Sequence, residues 1–281
     1  MEESLSLDVL VKKLEPPTSI GPISSYVVPE KDKSSNFYIV GKTGFFIKEK
    51  RRNLEKTIWE FYMLYAWNKI FEKFNKKNNK NLKIKLKIPE PHYIQYIDKN
   101  LSSLYMDFVP GYPIKKYSEV SKSLINEKKI KIKKKKMNLI EIIAFGLGIL
   151  DRIKSSYYLF HGDLDFRHIL FDSESLTLSV VDLEKAFIYT DKYDVDEDTL
   201  KKAIEKERKK LLENLKSKFS HLESFEKMYD AFNRGHHCCR IKSLRSETIF
   251  NKFYEKYKDI FINYIQPPKS VLDKIKKVIE K

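Results

Sequence analysis

Two aspartates are the first residues in this chain whose types and spacing could do chemistry. Asp163 lies in Phe160-His161-Gly162-Asp163-Leu164-Asp165-Phe166-Arg167-His168-Ile169-Leu170-Phe171-Asp172, a loop that follows a long apolar stretch. Asp182 comes nineteen residues later, at the end of the apolar run in Ser179-Val180-Val181-Asp182-Leu183-Glu184. Phosphoryl transfer needs such a pair: one carboxylate orients a hydroxyl and takes its proton, and another holds a metal that bridges phosphates. Two strand-end carboxylates also suit glycoside hydrolysis, where they flank the scissile bond. They can equally be turn residues with no chemistry.

The elements that must position these residues are legible as pattern. A short helix is expected over Ser4 to Leu14, before Pro16-Pro17. Three β-runs follow, Ser24 to Val28, Asn36 to Val40 and Phe45 to Lys50, with a tight turn at Gly41-Lys42-Thr43-Gly44 between the last two. Asn53 to Phe74 reads as a helix, with Ile58, Phe61, Met63, Leu64 and Trp67 close to helical spacing. Pro89 and Pro91 break it, and a hairpin runs from His92 to Ile97 and back from Leu101 to Val109. Asn138 to Tyr158 reads as a mostly apolar helix fit for a core. A strand pair is expected over His161 to Phe171 and Leu178 to Val181. From about Asp196 onward the chain reads as helical, with breaks near Gly235 and Pro267-Pro268. Strands first, one helix among them, then helices: the plan is α+β in two lobes, a strand-rich N-lobe over residues 1–109 and a helical C-lobe over 110–281.

The His161 to Asp172 segment, with Val180-Val181-Asp182-Leu183-Glu184-Lys185-Ala186, resembles the catalytic and metal loops of the protein-kinase-like superfamily. It is closest in style to aminoglycoside phosphotransferases, bacterial lipopolysaccharide sugar kinases and the small atypical kinases of the RIO and KEOPS-complex types. The resemblance implies a bilobal kinase-like fold binding ATP and Mg²⁺ or Mn²⁺ in a cleft, with Asp163 as catalytic base and Asp182 as metal ligand. Lys48, in Phe45-Phe46-Ile47-Lys48, matches the lysine that grips the α- and β-phosphates. Glu60 is its expected helix partner, with Glu55 the runner-up. Ser34 and Ser35 stand where the phosphate loop is expected, though without glycine. Phe46 shares a strand face with Lys48 and would stack on adenine, or simply fill the core. Tyr105 to Gly111 matches the hinge, with Met106, Asp107 and Val109 beside the base.

Departures from the family pattern carry their own implications. Gly162 replaces the arginine that reads a phosphorylated activation loop, Glu184 replaces a glycine, and no APE-like segment follows, all of which imply a constitutive enzyme. His168 replaces a metal-binding asparagine and is expected to ligate metal through its imidazole. Asp165 replaces the lysine of serine/threonine kinases and is a candidate contact to an acceptor. That acceptor is a hydroxyl on a protein, a sugar or another small molecule.

With 281 residues, 42% of them hydrophobic, the chain is long and apolar enough to bury a sizeable core. Two cysteines imply a reducing compartment, and no apolar leader follows Met1, so the cytoplasm is expected. The longest apolar run, Leu139 to Leu150, contains Glu141 and is too short to span a bilayer. Lysine and arginine outnumber acids 55 to 39, concentrated in Lys69 to Lys87 and Glu127 to Lys136. These segments are either solvated surface or a footprint for RNA or an anionic surface. The rival reading is therefore a catalytically idle kinase-fold protein that binds through its lysines. His236-His237-Cys238-Cys239 does not make a zinc site, because adjacent ligands diverge and no second cluster exists.

Overall fold

The computed structural model describes residues 11–12, 35–40, 45–50, 54–98, 101–127, 129–132, 135–189, 195–238, 241, 248–249, 251–252, 255, 267 and 269–276. The strand expected over 24–28, the turn 41–44 and Ser34 lie outside these residues. The described part of the helix expected over 4–14 is instead a strand, β1 (Val11–Lys12), laid parallel against Ile94 and Gln95. A β-branched residue at an open sheet edge gains main-chain partners there.

The chain continues through β2 (Ser35–Val40) and β3 (Phe45–Lys50) into α1 (Leu54–Leu82), then β4 (Lys85–Lys87), β5 (Pro91–Asp98) and β6 (Leu101–Asp107). A five-stranded sheet forms in the order β1-β5-β6-β3-β2. α1 runs two turns beyond the expected end at Phe74. Asn75 explains the extension: its amide donates to the Leu86 carbonyl (2.6 Å) and its oxygen accepts from the Leu86 amide (3.2 Å), clipping the helix to β4. Leu82, Ile84 and Leu86 then bury beneath it.

Next come β7 (Tyr112–Pro113), a 3-10 turn (Ile114–Glu119), α2 (Lys122–Glu127), β8 (Ile130–Ile132) and β9 (Lys135–Met137). The Lys-rich run is thus a small hairpin whose Ile132 and Met137 turn inward while Lys129, Lys131, Lys135 and Lys136 face water. α3 (Leu139–Tyr157) carries a full capping box. Asn138 accepts from the Glu141 amide (2.9 Å) while Glu141 accepts from the Asn138 amide (2.8 Å). The helix stops at Tyr158, which adopts a left-handed conformation.

Beyond it lie β10 (Leu159–Phe160), β11 (Ile169–Asp172), β12 (Thr177–Val180), a 3-10 turn (Leu183–Lys185) and β13 (Phe187–Ile188). Of the strand expected over His161 to Phe171 only Ile169 to Phe171 is strand; the residues before it form a loop, and that loop carries Asp163. β10 pairs with β13 and β11 with β12, which brings the loop and Asp182 to the same end. A four-stranded sheet, β4-β12-β11-β7, joins segments on both sides of residue 109, so the chain is not cleanly divided there.

The last described helices are α4 (Glu197–Phe219), α5 (Phe225–His237) and α6 (Lys269–Lys276). Helix and strand are mixed in one α+β structure, and none of the described helices is long and apolar enough to cross a membrane. The break expected near Gly235 falls where α5 ends at His237, and a further break lies at Ser220 to Ser224. Gly235 is also where α5 crosses α3. A Cβ on Gly148 would lie 2.0 Å from the Phe232 carbonyl oxygen, and one on Gly235 would lie 2.0 Å from that of Phe145.

Gly148→Ala should therefore destabilise the protein by about 3 kcal/mol, at the upper end of overpacking costs. Gly146→Ala is the control: its Cβ would meet only the Leu178 methyl at 3.1 Å. The alanine's better helix propensity offsets about 1 kcal/mol of that squeeze. Urea unfolding of the two variants should separate them clearly.

Candidate functional site

The site is built around Lys48. β3 pairs with β6 so that Lys48 faces Leu104, and the side chain is carried into the core beneath α1. Its ammonium donates to Glu60 Oε1 (2.9 Å) and to Asp182 Oδ1, and Glu184 Oε2 stands 3.9 Å away. Burial opposes the charged form. The Glu60, Asp182 and Glu184 carboxylates outweigh it and hold Lys48 well above the ordinary lysine range. Glu60 is the partner and Glu55 is not, because Glu60 sits on the buried face of α1 while Glu55 is exposed.

Asp182 adopts left-handed backbone torsions (φ 63°), which turn the chain sharply out of β12 and into the 3-10 turn. Trp59 of α1 donates its indole N–H to the Ala186 carbonyl just after that turn (3.0 Å). The same helix thus supplies Glu60 to the lysine and Trp59 to the segment that carries Asp182.

On the other side, Asp163 Oδ2 accepts from Lys185 Nζ at 2.9 Å. The loop bearing it is held from below. Glu207 of α4 accepts from the His161 amide (3.2 Å), the Gly162 amide (2.7 Å) and the buried Lys154 ammonium (2.5 Å). Gly162 is required here: its φ is +80°, and a Cβ would lie 2.2 Å from the Lys185 carbonyl oxygen.

Two histidines fix the remaining geometry. His161 is wholly buried, and burial pushes its pKa down to about 4. Its Nε2–H donates to the Val181 carbonyl (3.0 Å), and its Nδ1 accepts from the Asp163 amide (3.3 Å), so one neutral tautomer satisfies both contacts. His168 stacks on it with centroids 5.9 Å apart. His168 Nδ1 lies 2.8 Å from the Asp163 carbonyl oxygen and must donate to it. Its Nε2 stands 3.5 Å from Asp182 Oδ2, and the two could share a bound cation. Asp163, Asp182, Glu60 and Glu184 set four carboxylates against the ammonium groups of Lys48 and Lys185, and a divalent cation would redress that balance. Among the described residues no three histidine, cysteine or acidic side chains form a ready metal cage. Mg²⁺ does not need one, since it commonly takes one or two carboxylates and fills its remaining positions with water and phosphate.

The other expected residues divide. The backbone of Phe46 pairs with Met106, so the two share a face with Lys48 and Leu104. The side chains of Phe46 and Ser35 lie outside the described residues. Met106 and Val109 are buried. The Asp107 amide already donates to the Glu90 carbonyl (2.9 Å), which removes that N–H from any base contact, and its carboxylate accepts from His92 (2.8 Å). Asp165 Oδ1 takes the Arg167 amide (3.0 Å) and shapes its own turn, while its Oδ2 stands 3.9 Å from Lys210. His236 Nδ1 stands 2.7 Å from the buried Asp151 Oδ2.

Glu207, Lys154, Trp59 and Lys185 were not among the residues singled out from sequence. Glu207 and Lys154 sit inside helical patterns, where only an acid or a base on a buried face could have flagged them.

Removing the Glu207 carboxylate strands a buried ammonium, so Glu207→Ala should cost about 3–5 kcal/mol in urea unfolding. The paired variant Glu207→Leu/Lys154→Met should regain much of that stability while leaving the two loop amides without their acceptor. For His161 the folded value lies below the unfolded 6.5, so the native state resists a proton that the unfolded chain accepts. Its contribution is complete above pH 6.5 and is lost as pH falls from there toward 4, by up to about 1.4 kcal/mol per pH unit. Ring nitrogen NMR should find the Nε2–H tautomer unchanged between pH 8 and 5.

No model of a known protein family matches this chain, and no curated protein matches it, so the assignment rests on the geometry above.

Proposed function

We propose that the chain is an ATP-dependent phosphotransferase of bilobal, protein-kinase-like architecture that moves the γ-phosphoryl group to a hydroxyl. One observation carries the reading: a buried lysine on a strand is bonded at once to a helix glutamate and to an aspartate 134 residues later in sequence. That arrangement is what a phosphate-gripping lysine needs, since Glu60 keeps its ammonium charged and aimed while Asp182 marks where a metal would sit. In this reading the five-stranded sheet with α1 forms the nucleotide lobe. Helices α3, α4 and α5 form the lobe that supports Asp163.

The division of labour follows from the contacts. Lys48 would donate to the α- and β-phosphate oxygens. Asp182, with His168 Nε2 beside it, would hold Mg²⁺ or Mn²⁺, which supplies charge shielding to the phosphates. Asp163, on a loop pinned by Glu207, would orient the acceptor hydroxyl and take its proton. Most of the rate enhancement would come from this positioning and charge placement. The acceptor is a hydroxyl of a protein or of a sugar or other small molecule.

Calorimetric titration with MgATP and transfer assays with γ-labelled ATP test the assignment. Asp163→Asn should leave MgATP affinity within a few-fold and lower transfer by about 10²–10⁴-fold, as loss of a general base does. Asp182→Asn should lose metal-dependent nucleotide binding as well. An Asp182→Asn protein that binds MgATP like the wild type would sink the reading.

A further inference from the structure

The loop around Asp163 has an electrostatic gap. Phosphoryl transfer draws three non-bridging oxygens toward a carboxylate, and like charges at that distance repel unless a cation stands between them. Two residues after Asp163 stands another acid, Asp165. One of its oxygens accepts from the Arg167 amide, and its nearest cations, Arg167 and Lys210, stand at 3.4 and 3.9 Å.

Lys185 lies beside Asp163 itself. Its ammonium is 2.9 Å from Asp163 Oδ2 and 4.0 Å from Glu184 Oε1, and its side chain is 41% exposed, so a substrate can reach it. Its place is built by three independent contacts. The Lys185 carbonyl packs directly on Gly162, where no side chain fits. The Ala186 carbonyl is held by the Trp59 indole, and the Ala186 amide donates to the Leu183 carbonyl (3.0 Å). Lys185 is also only three residues from Asp182, on the same 3-10 turn, so its backbone is placed relative to both aspartates while its half-exposed side chain keeps the freedom to turn.

Resting on the phosphotransferase reading above, we propose that Lys185 is a catalytic residue, the cation that meets the γ-phosphoryl group at the moment of transfer. Before substrate binds, Asp163 holds the ammonium in place. When an acceptor hydroxyl takes up Asp163, the lysine swings its donors toward the γ-phosphoryl oxygens. The acceptor oxygen then bonds to phosphorus as the bond to the bridging oxygen breaks. The hydroxyl proton passes to Asp163, ADP leaves with the electron pair, and Lys185 keeps its proton throughout. Partial burial works against its charge, but the hydrogen bond and charge of Asp163 more than offset this and hold it above the ordinary lysine range. The metal loop thus supplies the cation that the catalytic loop lacks.

The test uses the full chain, γ-labelled ATP with Mg²⁺, and water as the acceptor, read as single-turnover phosphate release. Lys185→Ala should slow release roughly 100- to 1000-fold, the usual effect of removing one transition-state donor. MgATP affinity by calorimetry and the melting temperature should stay at wild-type values. Lys185→Arg, and millimolar ethylamine added to Lys185→Ala, should each recover part of the rate. A merely structural lysine would give the opposite pattern: affinity and melting temperature falling together with rate, and no rescue by the free amine. Wild-type release by Lys185→Ala would also overturn the proposal while leaving the phosphotransferase reading intact. Failure of the wild type itself to bind MgATP would overturn that reading, and this one with it.

Discussion

A lone ammonium cannot be buried without compensation, and the whole site is organised by that constraint acting on Lys48. The lysine enters the interior from a strand, so its partners must come from elsewhere in the chain. Glu60 arrives on α1, and Asp182 and Glu184 arrive where the chain leaves β12. Each partner is tied to the lysine by charge and to its own element by packing. The result is that a strand, a helix and a loop remote in sequence are locked around one atom. Loss of Glu60 or Asp182 would leave the buried lysine with weaker compensation.

A second buried ion pair repeats the logic one layer deeper. Lys154 and Glu207 neutralise each other between α3 and α4, and the carboxylate spends its remaining capacity on two backbone amides of the Asp163 loop. Charge-assisted bonds of this kind are shorter and stronger than neutral ones. They hold the glycine-containing loop from below while Leu164 and Phe166 anchor it in the core. The two ionic nodes are linked by the neutral His161, which touches Val181 on one side and Asp163 on the other. Keeping that ring uncharged is what lets it sit between them.

The local parts of this arrangement were legible in the sequence. Asp163, Asp182 and His168 were singled out because their segments resemble known catalytic and metal loops, and α3 announces its start through Asn138 and Glu141. The same resemblance offered Lys48 and Glu60 as partners, and the fold brings them to 2.9 Å. What could not be read were features decided by tertiary approach. Glu207 lies 45 residues from the amide of Gly162, and nothing in its helix distinguishes it from solvated neighbours. Gly235 announces the end of α5, but its second role, letting that helix lie against the backbone of Phe145, shows only in the fold. The end of α1 was misplaced because an asparagine- and lysine-rich stretch looks like a loop until Asn75 is seen gripping β4. The contact of Asp165 to the Arg167 amide is likewise invisible in a string of letters.

The clip between α1 and β4 has a mechanical consequence. β4 is not only fastened to the helix but also lies in parallel register with β12, the strand that ends just before Asp182. Helix, short strand and aspartate therefore form one continuous linkage, and a displacement of the helix along its axis would drag the aspartate with it.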